Sequence, residues 1–339
     1  MSRRFYVQWH LLNRCILRCQ HCYQENFSKK GELTLSEIKK VTANLLDGMK
    51  KWGTKLDVAL TGGEPFLKKE LRSLLDILNR SVSVEEISII TSGLIIPSWL
   101  EELKKFKKFR EIRISLDGVT FQTNDSIRGS GIFERVLRNI EKIKGCKIPF
   151  VIMFTAMKRN YHEIPLLVDF CRETGAKEFI VERFFPIGRG ERWANEVLSG
   201  KEFLNVWQKM LNKFSLFAEP EDLIPYRAIK VEIGSKKPRI YGSGCVVGRD
   251  GMALMPDGTI FPCRRFPLPI GNLLNESLDK IWSNSAILKK LRKKENLKGN
   301  CYRCPVKGCY GCRAMCYVLT GDPFSGDPHC WLRPYAYRT

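Results

Sequence analysis

The sequence predicts an α/β fold: a parallel sheet with its helices outside, then a small cysteine-rich module containing a β-hairpin. Three observations predict it. Strand-like and helix-like segments alternate about six times between Phe5 and Phe184, the pattern of repeated β–α units. The thirteen cysteines are unevenly spread: three fall at 15–22, eight lie between Cys245 and Cys330, and only Cys146 and Cys171 lie elsewhere. Finally, Asp257-Gly258 interrupts the run Met252–Pro262 as a hairpin turn would.

Taken in order, Phe5–Leu12 is rich in aromatic and branched residues and reads as a strand. It runs into Cys15-Ile16-Leu17-Arg18-Cys19-Gln20-His21-Cys22, with spacing C-x3-C-x2-C. Three close thiols can hold three irons of a [4Fe–4S] cube and leave the fourth iron open to a reactant. Zinc ligation or chance spacing are the other readings of this stretch alone. Thr34–Trp52 is an amphipathic helix capped by Thr34 or Ser36. The strand Leu56–Thr61 leads directly into Gly62-Gly63-Glu64-Pro65. Two glycines let backbone turn closely around a small ligand, and the glutamate offers an acceptor for an ammonium group; an ordinary strand-to-helix turn would use the same residues.

The alternation continues with helix Lys68–Arg80, strand Glu86–Thr91, helix Pro97–Phe109 and strand Arg113–Gly118. Helix Ile132–Lys144, strand Phe150–Ala156, helix His162–Thr174 and strand Glu178–Phe184 follow, then a last amphipathic helix Lys201–Phe217. Glu219-Pro220-Glu221-Asp222, with Pro225, reads as a linker. The expected organisation is a first domain over 1–220, a linker over 221–240 and a second domain over 241–339.

Thirteen cysteines in a reducing compartment point to metal rather than disulfides. Cys146 and Cys171 sit at helix positions and read as ordinary buried residues; His10, His162 and His329 show no partner pattern. The net charge is +21, with concentrations at Lys104–Lys108 and Lys289–Lys294. These are solvated helix faces or an attraction for an acidic partner. No motif with interleaved aromatics supports a nucleic-acid partner. The opening Ser2-Arg3-Arg4 is followed by no apolar signal region, and the apolar run Ile87–Leu100 is short and interrupted. A cytoplasmic protein with no membrane partner is expected.

The cysteine spacing, with Gly62-Gly63-Glu64 after the next strand, resembles the signature of the radical S-adenosylmethionine (radical SAM) superfamily. The resemblance implies a partial (β/α)6 TIM-like barrel. It also implies a [4Fe–4S] cluster on Cys15, Cys19 and Cys22 that cleaves S-adenosyl-L-methionine (AdoMet) reductively to a 5′-deoxyadenosyl radical. Gly62, Gly63 and Glu64 would meet the methionine amino group, Ser115 the ribose, Arg128 the methionine carboxylate and His21 the adenine.

The C-terminal pattern has Cys245, Gly258 and Cys263, then Cys301-x2-Cys304-x4-Cys309-x2-Cys312-x3-Cys316 and Cys330. With Gly311-Cys312-Arg313-Ala314 and Asp327-Pro328-His329-Cys330, it resembles the SPASM domain, which binds two auxiliary [4Fe–4S] clusters. One cluster would use Cys245, Cys263 and a cysteine from the 312–316 pair; the other would use Cys301, Cys304, Cys309 and Cys330. Cys316 is the fourth ligand of the first or a spare thiol, and zinc sites are the alternative for the whole module.

The resemblance implies an oxygen-sensitive enzyme, working anaerobically with an external electron donor of flavodoxin or ferredoxin type. Its radical would abstract hydrogen from a substrate at the barrel mouth. A peptide or protein, possibly acidic, is the first substrate expectation. The chain opens at its first strand without room for a leader-recognition domain, which weakens the ribosomal-peptide reading. Tetrapyrrole (haem-type) side-chain decarboxylation is the second expectation, equally suited by the positive charge. A non-catalytic electron-transfer or zinc-binding protein is the third.

Overall fold

The computed structural model describes residues 3–234 and 238–332. Six strands run parallel: β1 (Arg4–His10), β2 (Lys55–Thr61), β3 (Val84–Thr91), β4 (Phe109–Ser115), β5 (Phe150–Ala156) and β6 (Glu178–Arg183). Two antiparallel strands, β7 (Tyr226–Glu232) and β8 (Arg239–Gly244), extend one edge. The hairpin β9 (Gly251–Leu254) and β10 (Thr259–Phe261), with the short β11 (Gly271–Asn272), extends the other. The result is one sheet in the order β11-β10-β9-β1-β2-β3-β4-β5-β6-β7-β8.

The chain leaves β8 at Gly244 and enters β9 at Gly251, a reach of at most about 25 Å. Eight flat strand spacings between them would need about 38 Å. The sheet must therefore curl, and residues 245–250 cross the opening of the partial barrel. That crossing brings Cys245 over the same space that the ends of β1–β6 face.

The helices are α1 (Leu35–Lys51), α2 (Leu71–Arg80), α3 (Leu100–Leu103), α4 (Phe121–Arg128), α5 (Ile132–Gly145), α6 (Leu167–Thr174) and α7 (Gly200–Lys213). Four short ones follow: α8 (Pro220–Leu223), α9 (Leu278–Asn284), α10 (Ala286–Leu291) and α11 (Arg313–Thr320). Thr34 caps α1 in a capping box, accepting the Glu37 amide while Glu37 accepts the Thr34 amide at 2.8 Å. Ile38, Val41, Leu45 and Met49 then form the stripe that α1 buries on the sheet.

Three stretches differ from expectation. Pro97–Phe109 is not one helix. A 3₁₀ turn (Ile96–Trp99) and α3 give way before the lysine cluster, whose like charges oppose a continued helix, and Phe109 already belongs to β4. His162–Thr174 starts as a 3₁₀ turn because Pro165 removes a backbone donor. Within 221–240, the expected linker, Ala228, Ile229 and Val231 are buried as β7 pairs with β6. Residues 235–237 of that segment, and 333–339 of the C-terminal module, lie outside the described residues. Among the described residues, no helix is long and apolar enough to cross a membrane.

Candidate active site

A cavity of about 570 Å³ lies inside the curled sheet. Cys15, Cys19 and Cys22 line it from the loop after β1, and Cys245, Cys263 and Cys312 line it from the C-terminal module. The two cysteine groups, well over two hundred residues apart in sequence, thus face one space.

The first loop is held by its neighbours. The Gly63 amide donates to Leu12 O at 2.8 Å and the Glu64 amide to Arg14 O at 2.8 Å. This approach needs glycine: a Cβ on Gly63 would lie 2.0 Å from Arg14 O, and one on Gly62, at φ +138°, 2.4 Å from Leu12 O. Arg14 pairs with Glu32 at 2.8 Å, tying the loop towards α1. Backbone amides of Leu17 and Gln24 point at the sulfurs of Cys15 and Cys22, each at 3.4 Å.

Gly62 and Gly63 line the cavity, but Glu64 does not. Its carboxylate is fully buried and accepts from Thr91 Oγ1 at 2.7 Å, from the Ser92 amide at 3.0 Å and from Ser92 Oγ at 2.5 Å. In this arrangement Glu64 ties the β2 and β3 ends together. Burial pushes its carboxyl above the ordinary value, against those hydrogen bonds.

Ser115, His21 and Arg128 all line the cavity. Asp117, just past the β4 end, joins the last two: Arg128 Nη2 lies 2.7 Å from Asp117 Oδ2, and His21 Nε2 lies 3.2 Å from the same oxygen. Arg128 Nη1 is also 4.0 Å from the Cys19 sulfur. Burial lowers the His21 pKa to about 4, with Asp117 opposing, so the ring is neutral at pH 7. Its Nδ1 is buried without a hydrogen-bond partner, as is Arg128 Nε. Sequence reading missed Asp117; its signal was a polar residue following Ser115 at a strand end.

Among the C-terminal cysteines, Cys245 and Cys263 each feel the Cys312 thiol, and Cys263 also feels Cys245. Cys316 is fully buried on α11 one turn beyond Cys312 and does not line the cavity. Cys301, Cys309 and Cys330 form a second group, coupled through the Cys330 thiol. The Cys301 sulfur accepts from Arg313 Nη2 and from the Asp327 amide, both at 3.3 Å, and the Cys309 sulfur from Arg227 Nη2 at 3.5 Å. Cys304 is half-buried beside them in sequence. Cys171 is buried as expected; Cys146 is only half-buried and points its thiol at Glu101.

Sequence reading also missed the cationic wall. Arg264 and Arg265 follow Cys263 directly and diverge: Arg264 stacks over the Tyr23 ring at 3.6 Å, on the side of the first cysteine loop. Arg265 pairs with Glu182 and stacks over Phe185. Arg113, Arg183 and Arg227 line the same cavity from β4, β6 and β7. Their signal was present as arginines at strand ends and beside a cysteine, but only the closed barrel brings them together.

The donor sets fit iron–sulfur clusters. Thiolates are soft ligands suited to such clusters, and N–H donors already surround several of the sulfurs. Burial pushes the Cys19 thiol up to about 12 and Cys263 up to about 11, so free thiols would stay protonated until a positively charged group replaces the proton. Among the described residues no three His, Cys, Asp or Glu side chains converge as they would on a single ion.

An α/β partial barrel with a three-cysteine loop after its first strand, facing further thiols across one cavity, defines an iron–sulfur enzyme. Residues 9–171 match the Radical SAM superfamily and residues 245–305 the SPASM iron-sulfur cluster-binding domain. The chain belongs to the radical SAM superfamily and carries a SPASM domain, so [4Fe–4S] clusters and AdoMet are its cofactors. It is 28% identical to an AdoMet-dependent heme synthase of Methanosarcina barkeri, over 97% of this chain and 96% of that protein. It is 27% identical to the antilisterial bacteriocin subtilosin biosynthesis protein AlbA of Bacillus subtilis, over 91% of this chain and 66% of that one. In fold it resembles Streptococcus suis SuiB bound to precursor peptide SuiA, with TM-score 0.73 and 18% identity, covering 98% of this chain and 77% of that one.

Proposed function

We propose that this enzyme decarboxylates carboxylate-bearing side chains of a tetrapyrrole by radical chemistry, the second of the two substrate classes left open by the sequence. The observation that carries the reading is the arginine-lined wall of the cavity between the two cysteine groups: Arg113, Arg183, Arg227, Arg264 and Arg265 all line it. Guanidinium groups suit planar carboxylates, and a substrate with several of them could engage both ends of such a space. The similarity to AdoMet-dependent heme synthases along almost the whole chain supports the same class.

In this reading Cys15, Cys19 and Cys22 hold the AdoMet-binding cluster, and the C-terminal cysteines hold the auxiliary ones. Gly62, Gly63, His21, Ser115 and Arg128 surround AdoMet, while Glu64 keeps the glycine turn in place from behind. When bound, clusters and AdoMet supply the electron, the carbon radical that abstracts hydrogen, and the sink for the electron released as carbon dioxide leaves. The chain's own part is to orient the side chain by its carboxylates, to exclude water with the buried barrel floor, and to keep His21 neutral beside the cofactor.

AlbA keeps a peptide substrate as the second reading. A direct comparison tests the two. 5′-Deoxyadenosine is measured without oxygen, with dithionite and AdoMet, in the presence of an iron porphyrin carrying four propionates or of an acidic cysteine-containing peptide. Porphyrin-stimulated cleavage supports the proposal; stimulation by the peptide alone overturns it.

A further inference from the structure

Arg183 ends β6 and is 4% exposed, yet its Nε and Nη2 have no hydrogen-bond partner. Such a group is costly to bury, because its donors gave up water and gained nothing in return. Its one ring contact is a loose stacking on Phe203 at 5.4 Å, which satisfies neither nitrogen. It lines the cavity with Arg227 and Arg265. Those neighbours are already engaged: Arg265 with Glu182, and Arg227 with Ile224 O at 2.8 Å and the Cys309 sulfur at 3.5 Å. Arg227 still keeps an unpartnered Nε.

Three guanidinium groups therefore meet on one wall, and the nearby carboxylates do not balance them. Glu182 is taken by Arg265. Asp327 accepts the Cys312 amide at 2.6 Å and the His329 amide at 2.9 Å, and its buried charge is shared by Arg227 and Arg183, so two carboxylates face three cations. Burial pulls the Arg183 pKa below its ordinary value, with Arg227 and Arg265 adding to it and Cys312 and Asp327 opposing.

We infer that Arg183, flanked by Arg227, is an anchoring subsite for a substrate carboxylate, on the wall shared with Cys312 and away from the AdoMet-side pair of Arg128 and Asp117. This rests on the reading of a polycarboxylate substrate given above. It assigns the subsite to a side chain that positions the substrate, so that another side chain is presented to the first cysteine loop. No bond is made or broken at Arg183. Neutralising the guanidinium would also suit a cluster held by Cys312, and the test separates that role.

The probe is a four-propionate iron porphyrin, followed by its absorbance change on binding to the anaerobically reconstituted enzyme, with its tetramethyl ester as control. Arg183→Met is expected to weaken binding of the tetra-acid by roughly ten- to a hundredfold, the loss of one charge-assisted pairing. Arg183→Lys should lie between the two, and the ester should bind the wild type and Arg183→Met alike. Iron content and AdoMet affinity, the latter by calorimetry, should be unchanged in both variants. Equal tetra-acid binding by wild type and Arg183→Met overturns the subsite while leaving the substrate class intact. Loss of iron in both variants, or weakened AdoMet with unchanged porphyrin binding, reassigns Arg183 to cluster or cofactor and overturns it too. A wild type that binds no porphyrin overturns the substrate class itself.

Discussion

Arg128 and Asp117 form a buried ion pair, Nη2 to Oδ2 at 2.7 Å, in the wall of the cavity. Asp117 comes from the end of β4 and Arg128 from the end of α4, so the pair fixes the helix to the strand it follows. The second carboxylate oxygen accepts the Thr155 amide at 2.8 Å. Asp117→Asn should retain that bond and leave the guanidinium without its counter-charge. Breaking a buried pair from one side costs about 3–5 kcal/mol, read as a lower urea midpoint. An unchanged midpoint would show that the pair contributes nothing to the fold.

His10 gives the pH dependence. It is 1% exposed, its Nδ1 lies 3.3 Å from the Tyr23 hydroxyl, and its Nε2 is buried without a partner. Burial, with Arg264 second, lowers its pKa to about 3. The folded protein therefore holds His10 neutral, while the unfolded chain takes up a proton near pH 6.5. The stabilisation is complete above about pH 6.5 and is lost as pH falls from there towards about 3. Between pH 7 and pH 5 the loss from this one residue is about 2 kcal/mol. His10→Gln should flatten that part of the profile in urea unfolding; a parallel decline in both proteins would assign the acid sensitivity elsewhere.

Gly63→Ala tests what shapes the first cysteine loop. The added methyl would meet Arg14 backbone rather than a yielding side chain, and the loop would have to move away from β2. Iron per chain should fall from about twelve to about eight, one cube of three being lost. Full iron in the variant would mean that the loop is held by Arg14 and Glu32 alone.

Cys312 and Cys316 separate the candidates for the auxiliary site. Cys312 lines the cavity with Cys245 and Cys263, whereas Cys316 packs inside α11. Cys312→Ala should drop iron by about four atoms per chain, and Cys316→Ala should retain it. The opposite pattern would make Cys316 the ligand.

Much of this architecture was legible in the sequence because its signals are local. The alternation of apolar runs, the cysteine spacing and the Asp257-Gly258 turn each lie within a few residues, and β1–β6 and the hairpin formed where those signals fell. What was missed depends on closure. Tyr226–Glu232 reads as an unremarkable polar-apolar stretch until β6 offers an edge to pair with. Arg183 and Arg265 lie far apart in sequence and become one wall only when residues 245–250 cross the opening. The hydrogen bonds of Glu64 to Thr91 and Ser92 come from the neighbouring strand end, which its motif does not contain.

The most direct test of the account is mass spectrometry of the porphyrin itself. The reconstituted enzyme is incubated without oxygen with AdoMet, dithionite and the four-propionate iron porphyrin. The expected product has lost carbon dioxide and two hydrogens from at least one side chain, with one 5′-deoxyadenosine formed per side chain changed. An unaltered porphyrin, in a preparation that carries its full iron and forms deoxyadenosine with an acidic peptide, would contradict the tetrapyrrole reading and return the enzyme to peptide chemistry.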